Sequence, residues 1–69
     1  MTRHLTLTVN GDSRQTDAST IADFVLEIGL DPKKVAVEYN GEIAPRSTLH
    51  EVAISDGDVL EIVHFVGGG

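Results

Sequence analysis

The segment Thr20-Ile21-Ala22-Asp23-Phe24-Val25-Leu26-Glu27-Ile28-Gly29 carries the strongest helical pattern in this chain. Thr20 and Asp23 resemble a capping box at its start, and Gly29 predicts its end. At 100° per residue one face is entirely apolar and consists of Ile21, Phe24, Val25 and Ile28. A helix that is apolar on one side packs against another layer of structure, so this pattern predicts one main helix lying across a sheet.

Strand patterns flank the helix on both sides. Residues Leu5–Val9 alternate apolar side chains with threonine, and Asn10-Gly11 tolerates the positive φ angles of a tight turn. A short second strand is therefore expected at Arg14–Thr16. After the helix, Val35–Tyr39 is nearly continuous in apolar character and predicts a third strand in the interior of the sheet.

The second half of the chain is less regular. Asn40-Gly41 is another turn signal, and residues 42–54 contain a proline and scattered apolar side chains, which predicts an irregular connection with room for a short strand or one helical turn. Asp56-Gly57-Asp58 predicts a turn, and Val59–Val66 the last strand. The pattern as a whole predicts an α+β domain with one mixed sheet, spanning residues 1–66, followed by a flexible glycine tail at residues 67–69.

Glu61 sets the two faces of the last strand. If Glu61 faces water, Leu60 and Ile62 face the core, while Val63 and Phe65 share the outer face with Glu61. Two exposed apolar side chains beside the chain end would form a docking patch. The alternative is that the alternation breaks near the end of the strand and Phe65 covers the core.

The amino-acid composition excludes several classes of partner. The chain has 69 residues, 41% of them hydrophobic, which suits one small domain. Eleven acidic residues against five Lys and Arg give a net charge of −6, which repels phosphates and anionic lipids and argues against nucleic acid or membrane partners. No long apolar segment or cysteine is present. We therefore expect a cytoplasmic protein that is monomeric when free.

The glycine run Gly67-Gly68-Gly69 is the most informative feature for function. Three extended residues reach roughly 10 Å and, without side chains, can pass through a narrow tunnel to another protein's catalytic centre. The hypothesis is that the carboxylate of Gly69 is the reactive group. Because an ionised carboxylate is a poor electrophile, it would need activation by ATP on a separate enzyme. A frayed end or a cloning remnant is the alternative.

No catalytic set is predicted outside the tail. The three histidines lack metal-ligand spacing, and His64 is expected to be partly buried at the strand end. Asp56 and Asp58 are interpreted as turn residues instead of an acid–base pair. Arg46 is expected to form a weak surface ion pair with a carboxylate of this protein or of a partner. The sequence therefore predicts no metal site, no bound cofactor and no enzymatic activity of its own.

The run Asn40-Gly41-Glu42-Ile43-Ala44-Pro45-Arg46, the Asp56-Gly57-Asp58 turn and the ending at residues 61–69 together resemble the ThiS family of thiamine biosynthesis. The resemblance covers essentially the whole chain and implies a ubiquitin-like β-grasp fold. In that family a ThiF-type adenylyltransferase uses ATP and Mg to adenylate the terminal glycine. Sulfur from cysteine, delivered through a desulfurase, then displaces AMP, and a ThiG-type thiazole synthase takes the sulfur from the resulting thiocarboxylate.

Carried onto this chain, the resemblance makes Gly69 the bearer of the adenylate and thiocarboxylate and Gly68 its partner in the diglycine. We expect Val63, Phe65, Val66 and Gly67 to contact the partner enzymes. Gly67 stands where many relatives have a side chain. Three alternatives stay open: a MoaD-like carrier of molybdopterin synthase, a ubiquitin-type protein modifier, and a binding module with an incidental tail.

Overall fold

The first two strands form a hairpin at the start of the domain. The computed structural model describes residues 4–65, with β1 at Leu5–Val9 and β2 at Asp12–Thr16. Asn10 and Gly11 have φ angles of 50° and 86°, as a two-residue hairpin turn requires. Such a turn places Val9 directly opposite Asp12, so β2 begins two residues earlier than predicted.

One α-helix, α1, occurs in the described residues; it spans Ile21–Glu27 and has the predicted ends. The Thr20 hydroxyl accepts a hydrogen bond from the Asp23 amide at 3.1 Å. At the other end Gly29 has a φ of +87°, and the Leu30 amide donates to the Val25 carbonyl at 3.0 Å, which closes the last turn. Nowhere in residues 4–65 does a helix have the length and apolar character needed to cross a membrane.

The connections after α1 contain more structure than predicted. Pro32–Lys34 and Arg46–Thr48 each form a 3₁₀ turn, called here the 32–34 turn and the 46–48 turn. Between them lie β3 at Val35–Tyr39 and β4 at Glu42–Ala44. The segment predicted to be irregular thus contains both a short strand and a helical turn. The last strand, β5, spans Val59–His64.

The strands form one sheet in the order β2-β1-β5-β3-β4. β5 lies in the middle, parallel to β1 and antiparallel to β3, so the sheet is mixed as predicted. β3 is interior, also as predicted, because it pairs with both β5 and β4. Only one of its faces is covered, however, since Ala36 is exposed between the buried Val35 and Val37.

The core lies between the inner face of the sheet and α1. The apolar face of the helix is covered as predicted, with Phe24, Val25 and Ile21 fully buried and Ile28 partly buried. Leu49 and Ile54, from the connection between β4 and β5, complete the core. The helix, the sheet and the connection therefore share one apolar interior, to which β5 contributes Leu60 and Ile62.

Candidate functional site

The strand that precedes the glycine tail in sequence is paired on both sides, with β1 and with β3. β5 pairs with β3 from Tyr39↔Leu60 to Val35↔His64. Phe65 extends this ladder by one residue, because its amide donates to the Lys34 carbonyl at 2.8 Å. Val66, Gly67, Gly68 and Gly69 lie outside the described residues, so their predicted roles stay predictions.

Two turn asparagines add further bonds to β5. The Asn10 side chain accepts from the Ile62 amide at 2.7 Å and donates to the Ile62 carbonyl at 3.0 Å. The Asn40 side chain accepts from the Val59 amide at 2.8 Å. Asn10 thus replaces a backbone partner where β1 has turned away. Sequence reasoning identified both residues only as turn formers, although asparagine in both turns supplies, beside its acceptor oxygen, an amide donor that aspartate would lack.

The turn before β5 is organised around the buried carboxylate of Asp58. It accepts hydrogen bonds from the Tyr39 hydroxyl at 2.5 Å, the Ser55 amide at 2.7 Å and the Asn40 side chain at 3.2 Å. Burial by itself would raise the pKa of Asp58, but these hydrogen bonds outweigh it and lower the pKa below its usual value. The ionised carboxylate therefore fixes the start of β5.

Asp56, which is exposed, bonds the same turn to β1. Its carboxylate accepts from the Thr6 amide at 2.6 Å, while the Gly57 amide donates to the Thr6 carbonyl at 2.8 Å. Gly57 has a φ of +88°, which favours glycine at this position. The interpretation of Asp56 and Asp58 as turn residues is confirmed.

The bond between Tyr39 and Asp58 predicts a loss of stability at alkaline pH. The hydrogen bond to Asp58, with burial and the nearby negative charge, raises the pKa of Tyr39 to about 12. The pKa of tyrosine in an unfolded chain is about 10. The contribution of the Tyr39–Asp58 hydrogen bond to the free energy of unfolding is therefore complete below that pH and is lost as the pH rises toward the pKa of Tyr39 in the folded protein. Tyr39→Phe should lack this component of the alkaline loss of stability, measured by urea unfolding across the alkaline range.

The chain contains one tyrosine and no tryptophan, so ultraviolet absorbance follows Tyr39 alone. We expect phenolate absorbance in the folded protein to rise with a midpoint well above that of the urea-unfolded protein. Coincident midpoints would show that Asp58 does not hold the phenol in solution.

An apolar patch covers the outer face of the sheet beside the end of β5. Val63 and Phe65 are 62% and 50% exposed, whereas Leu60 and Ile62 are buried. The predicted parity of β5 is therefore confirmed as far as Phe65. Their role in docking stays a prediction.

Two further residues belong to this surface, called here the outer patch and consisting of Ala36, Ile43, Val63 and Phe65. Ala36 lies directly opposite Val63 in the β3–β5 ladder. Ile43, on β4, is 79% exposed. Sequence reasoning missed Ile43 because it lies in a three-residue strand too short to show alternation.

Arg46 lies at the edge of the outer patch and has different partners from those expected. Its guanidinium carbon is 5.9 Å from the centre of the Phe65 ring, and the Nη1 atom donates to the Lys33 carbonyl at 3.3 Å. Among residues 4–65 no carboxylate pairs with Arg46, so an ion pair within this part of the protein is wrong, while a pair with a carboxylate of a partner stays a prediction. The 46–48 turn brings Arg46 to an aromatic ring and a carbonyl, and these take the place of a carboxylate.

His64 is also placed differently from the prediction. It is exposed, whereas partial burial was expected. β1 pairs with β5 only at Val59 and Leu60 and so does not extend alongside His64. Within the described part of the chain, no three His, Asp or Glu side chains lie close enough together to hold a metal ion.

In chain order, the Asp56-Gly57-Asp58 turn is followed by the central strand β5, which carries part of the outer patch. The glycine ending comes after it in sequence. A protein-family sequence model, described as the ThiS family, matches residues 7–69, which is nearly the whole chain and includes its glycine ending. This chain belongs to the ThiS family. Its fold is the ubiquitin-like β-grasp that the resemblance implied. The crystal structure of the thiamine biosynthesis protein ThiS from Geobacter metallireducens superimposes with a TM-score of 0.76 at 30% identity, covering 94% of this chain and all of that one.

Two of the curated relatives differ in how much of their length this chain covers. The sulfur carrier protein ThiS of Bacillus subtilis (strain 168) is 51% identical over 53 residues, which cover 77% of this chain and 80% of that protein. A thiazole synthase of Paramagnetospirillum magneticum is 52% identical over 64 residues, which cover 91% of this chain. This chain spans only 20% of that synthase's length, so the similarity is to one segment of a larger protein.

Proposed function

We propose that this chain is a sulfur carrier of thiamine biosynthesis and that it acts as a substrate of other enzymes. The observation that carries the proposal is the ThiS-family match through residue 69, together with the similarity to the Bacillus subtilis sulfur carrier. The anchored β5 and the outer patch support it, because a carrier must present its tail from a stable base and be recognised beside that tail.

The chemistry takes place on the terminal carboxylate of Gly69. A carboxylate oxygen attacks the α-phosphorus of Mg-ATP on a ThiF-type adenylyltransferase and displaces pyrophosphate, which gives an acyl-adenylate. A persulfide, formed on the desulfurase from cysteine, then attacks the acyl carbon through its outer sulfur and displaces AMP. A second thiol reduces the S–S bond of the resulting acyl disulfide, which leaves the thiocarboxylate on Gly69 and converts the two thiols to a disulfide. The carrier contributes reach and recognition, while ATP and Mg belong to the partner enzyme. Gly68 and Gly67 keep the segment narrow enough to enter its active site.

Thiazole synthase is the proposed acceptor of the sulfur. The Paramagnetospirillum magneticum protein named thiazole synthase contains a segment similar to this carrier within the same chain. Such an arrangement keeps carrier and acceptor at a high effective concentration, which supports a direct encounter between the two. The free carrier is proposed to be monomeric and cytoplasmic, and to meet the adenylyltransferase and the synthase in turn.

Intact-protein mass spectrometry tests the proposal. The chain is incubated with Mg-ATP, a ThiF-type adenylyltransferase, cysteine and a desulfurase. We expect a mass gain equal to one oxygen-for-sulfur exchange, located on Gly69 by fragmentation and absent without ATP. No exchange with an adenylyltransferase that loads another carrier would overturn the proposal, and an amide between Gly69 and a lysine would assign the chain to the protein modifiers.

The outer patch supplies a second test of this function. Val63→Asp and Phe65→Asp should each weaken binding to the adenylyltransferase or the thiazole synthase about tenfold or more, because a charge replaces exposed apolar contact area. Their melting temperatures should change little, since both side chains are at least half exposed. Binding is measured by isothermal titration calorimetry.

Val59→Asp is the matched control, because Val59 lies on the same strand and the same outer face but at the opposite end of β5. It should bind like the wild type. Equal loss of binding in all three variants, or a fall in melting temperature that accompanies the loss, would argue against a local docking patch.

A further inference from the structure

A second apolar surface lies on the helix side of the domain. A groove of about 430 Å³ runs between α1, the 32–34 turn and the segment after the 46–48 turn. Its apolar lining residues are Ala22, Leu26, Pro32 and Leu49. Leu26 is 60% exposed, although it lies on a helix whose neighbours pack into the core. The groove therefore offers an aliphatic surface that a partner side chain could cover.

The rim of this groove is basic in an acidic protein. Lys33, Arg46 and His50 line it, against one carboxylate, that of Asp31. That carboxylate caps the 32–34 turn by accepting from the Lys33 amide at 2.9 Å. Two of the five Lys and Arg residues of a chain with a net charge of −6 thus lie at one groove. Its charge is complementary to a segment that bears carboxylates beside an apolar side chain.

The groove is continuous with the outer patch. Arg46 lines the groove and also lies against the ring of Phe65 in the outer patch. Its Nη1 atom donates to the carbonyl of Lys33 on the groove rim, and the neighbouring Lys34 carbonyl holds the Phe65 amide. One partner approaching the end of β5 could therefore contact both surfaces at once.

We propose that the groove and the outer patch meet at Arg46 and form one docking surface. The groove receives an apolar side chain from an acidic segment of thiazole synthase. This inference rests on the proposed function. Thiazole synthase is chosen because a relative of that name contains a carrier-like segment in its own chain. Contacts on two faces of the carrier would fix its orientation relative to the synthase, because a single flat patch would still allow the carrier to rotate on it.

The test measures binding of the full-length carrier to a thiazole synthase that lacks a carrier segment of its own. Leu26→Gln keeps a good helix former but removes the apolar contact, and we expect affinity to fall about tenfold. Lys33→Glu should weaken binding by a similar factor and reduce its dependence on salt concentration. Thermal unfolding of each variant reports whether the fold is intact.

Two matched controls separate the groove from general effects. Lys34→Glu makes the same change in net charge one residue away, at a side chain that does not line the groove, and should bind within about twofold of the wild type. Val59→Thr removes exposed aliphatic surface elsewhere on the domain and should bind normally. Equal losses in Lys33→Glu and Lys34→Glu would overturn the assignment of the groove, because net charge alone would then account for them.

The remaining outcomes separate this inference from the proposed function. If the wild type binds the synthase and Leu26→Gln binds equally well, only the groove is rejected. If the wild type fails to bind the synthase at all, the proposed acceptor and the groove fall together, while sulfur loading of Gly69 is judged by mass spectrometry. If sedimentation shows a wild-type dimer that Leu26→Gln dissociates, a second copy occupies the groove and the inference is wrong.

Discussion

Deleting Gly68 and Gly69 is expected to abolish sulfur loading while leaving the melting temperature of the domain unchanged. The deletion shortens the reach of the chain by roughly 7 Å. Since a displacement of about 1 Å at a reacting group can reduce a rate about a hundredfold, the new terminal carboxylate of Gly67 would not be adenylated. The core and the β5 anchors all lie within residues 4–65 and are unaltered by the deletion.

Gly68→Ala is the length-matched control for this deletion. It keeps the carboxylate of Gly69 at the same distance along the chain and adds one methyl group, so loading should be slowed but still detectable. Mass spectrometry after incubation with Mg-ATP, adenylyltransferase and sulfur source gives the extent of loading, and circular dichroism gives the melting temperature. Full loading of the shortened protein would refute the role of the diglycine, and a large fall in its melting temperature would show a structural role.

The largest stability effect is expected from Asp58→Ala. The substitution removes the acceptor shared by the Tyr39 hydroxyl, the Ser55 amide and the Asn40 side chain. Losing these hydrogen bonds to a buried, ionised carboxylate should lower the free energy of unfolding by about 3 kcal/mol. For a domain of this size that is a large part of the total stability. Urea unfolding followed by circular dichroism measures the change.

Asp56→Ala is the control in the same turn. Its carboxylate is exposed and accepts one hydrogen bond in the structure, from the Thr6 amide, so we expect a loss of about 1 kcal/mol. Asp58→Asn keeps one acceptor oxygen and should fall between the two. Equal losses in Asp56→Ala and Asp58→Ala would mean that the buried network contributes no more than the exposed turn bond.

Local patterns predicted the elements of this fold well. The apolar face of α1 and the glycine at its end follow from helical geometry alone, and each acts within a few residues. The faces of β5 were predictable because Glu61 marks the side exposed to water, and Leu60 and Ile62 are buried as expected. Strand order was not predictable from pattern, since β1 and β5 pair across most of the length of the chain.

Contacts between distant segments account for the misses at the candidate site. No local pattern indicates that Arg46 lies against Phe65 or that Asn10 bonds to Ile62. The exposed Leu26 was not singled out, because its groove is completed by two 3₁₀ turns that follow the helix in sequence. The role of the glycine tail rests on residue type and order alone and stays a prediction, because residues 66–69 lie outside the described part of the chain.

The central place of β5 also governs when the domain can fold during synthesis. Asn10 and its partner Ile62 are 52 residues apart, and β5, which lies between β1 and β3, is the last of the five described strands in the order of synthesis. A nascent chain that stops before β5 leaves its two hairpins without the strand that joins them. We therefore expect folding to await the synthesis of β5, and a chain that terminates before β5 to stay unfolded and open to proteolysis.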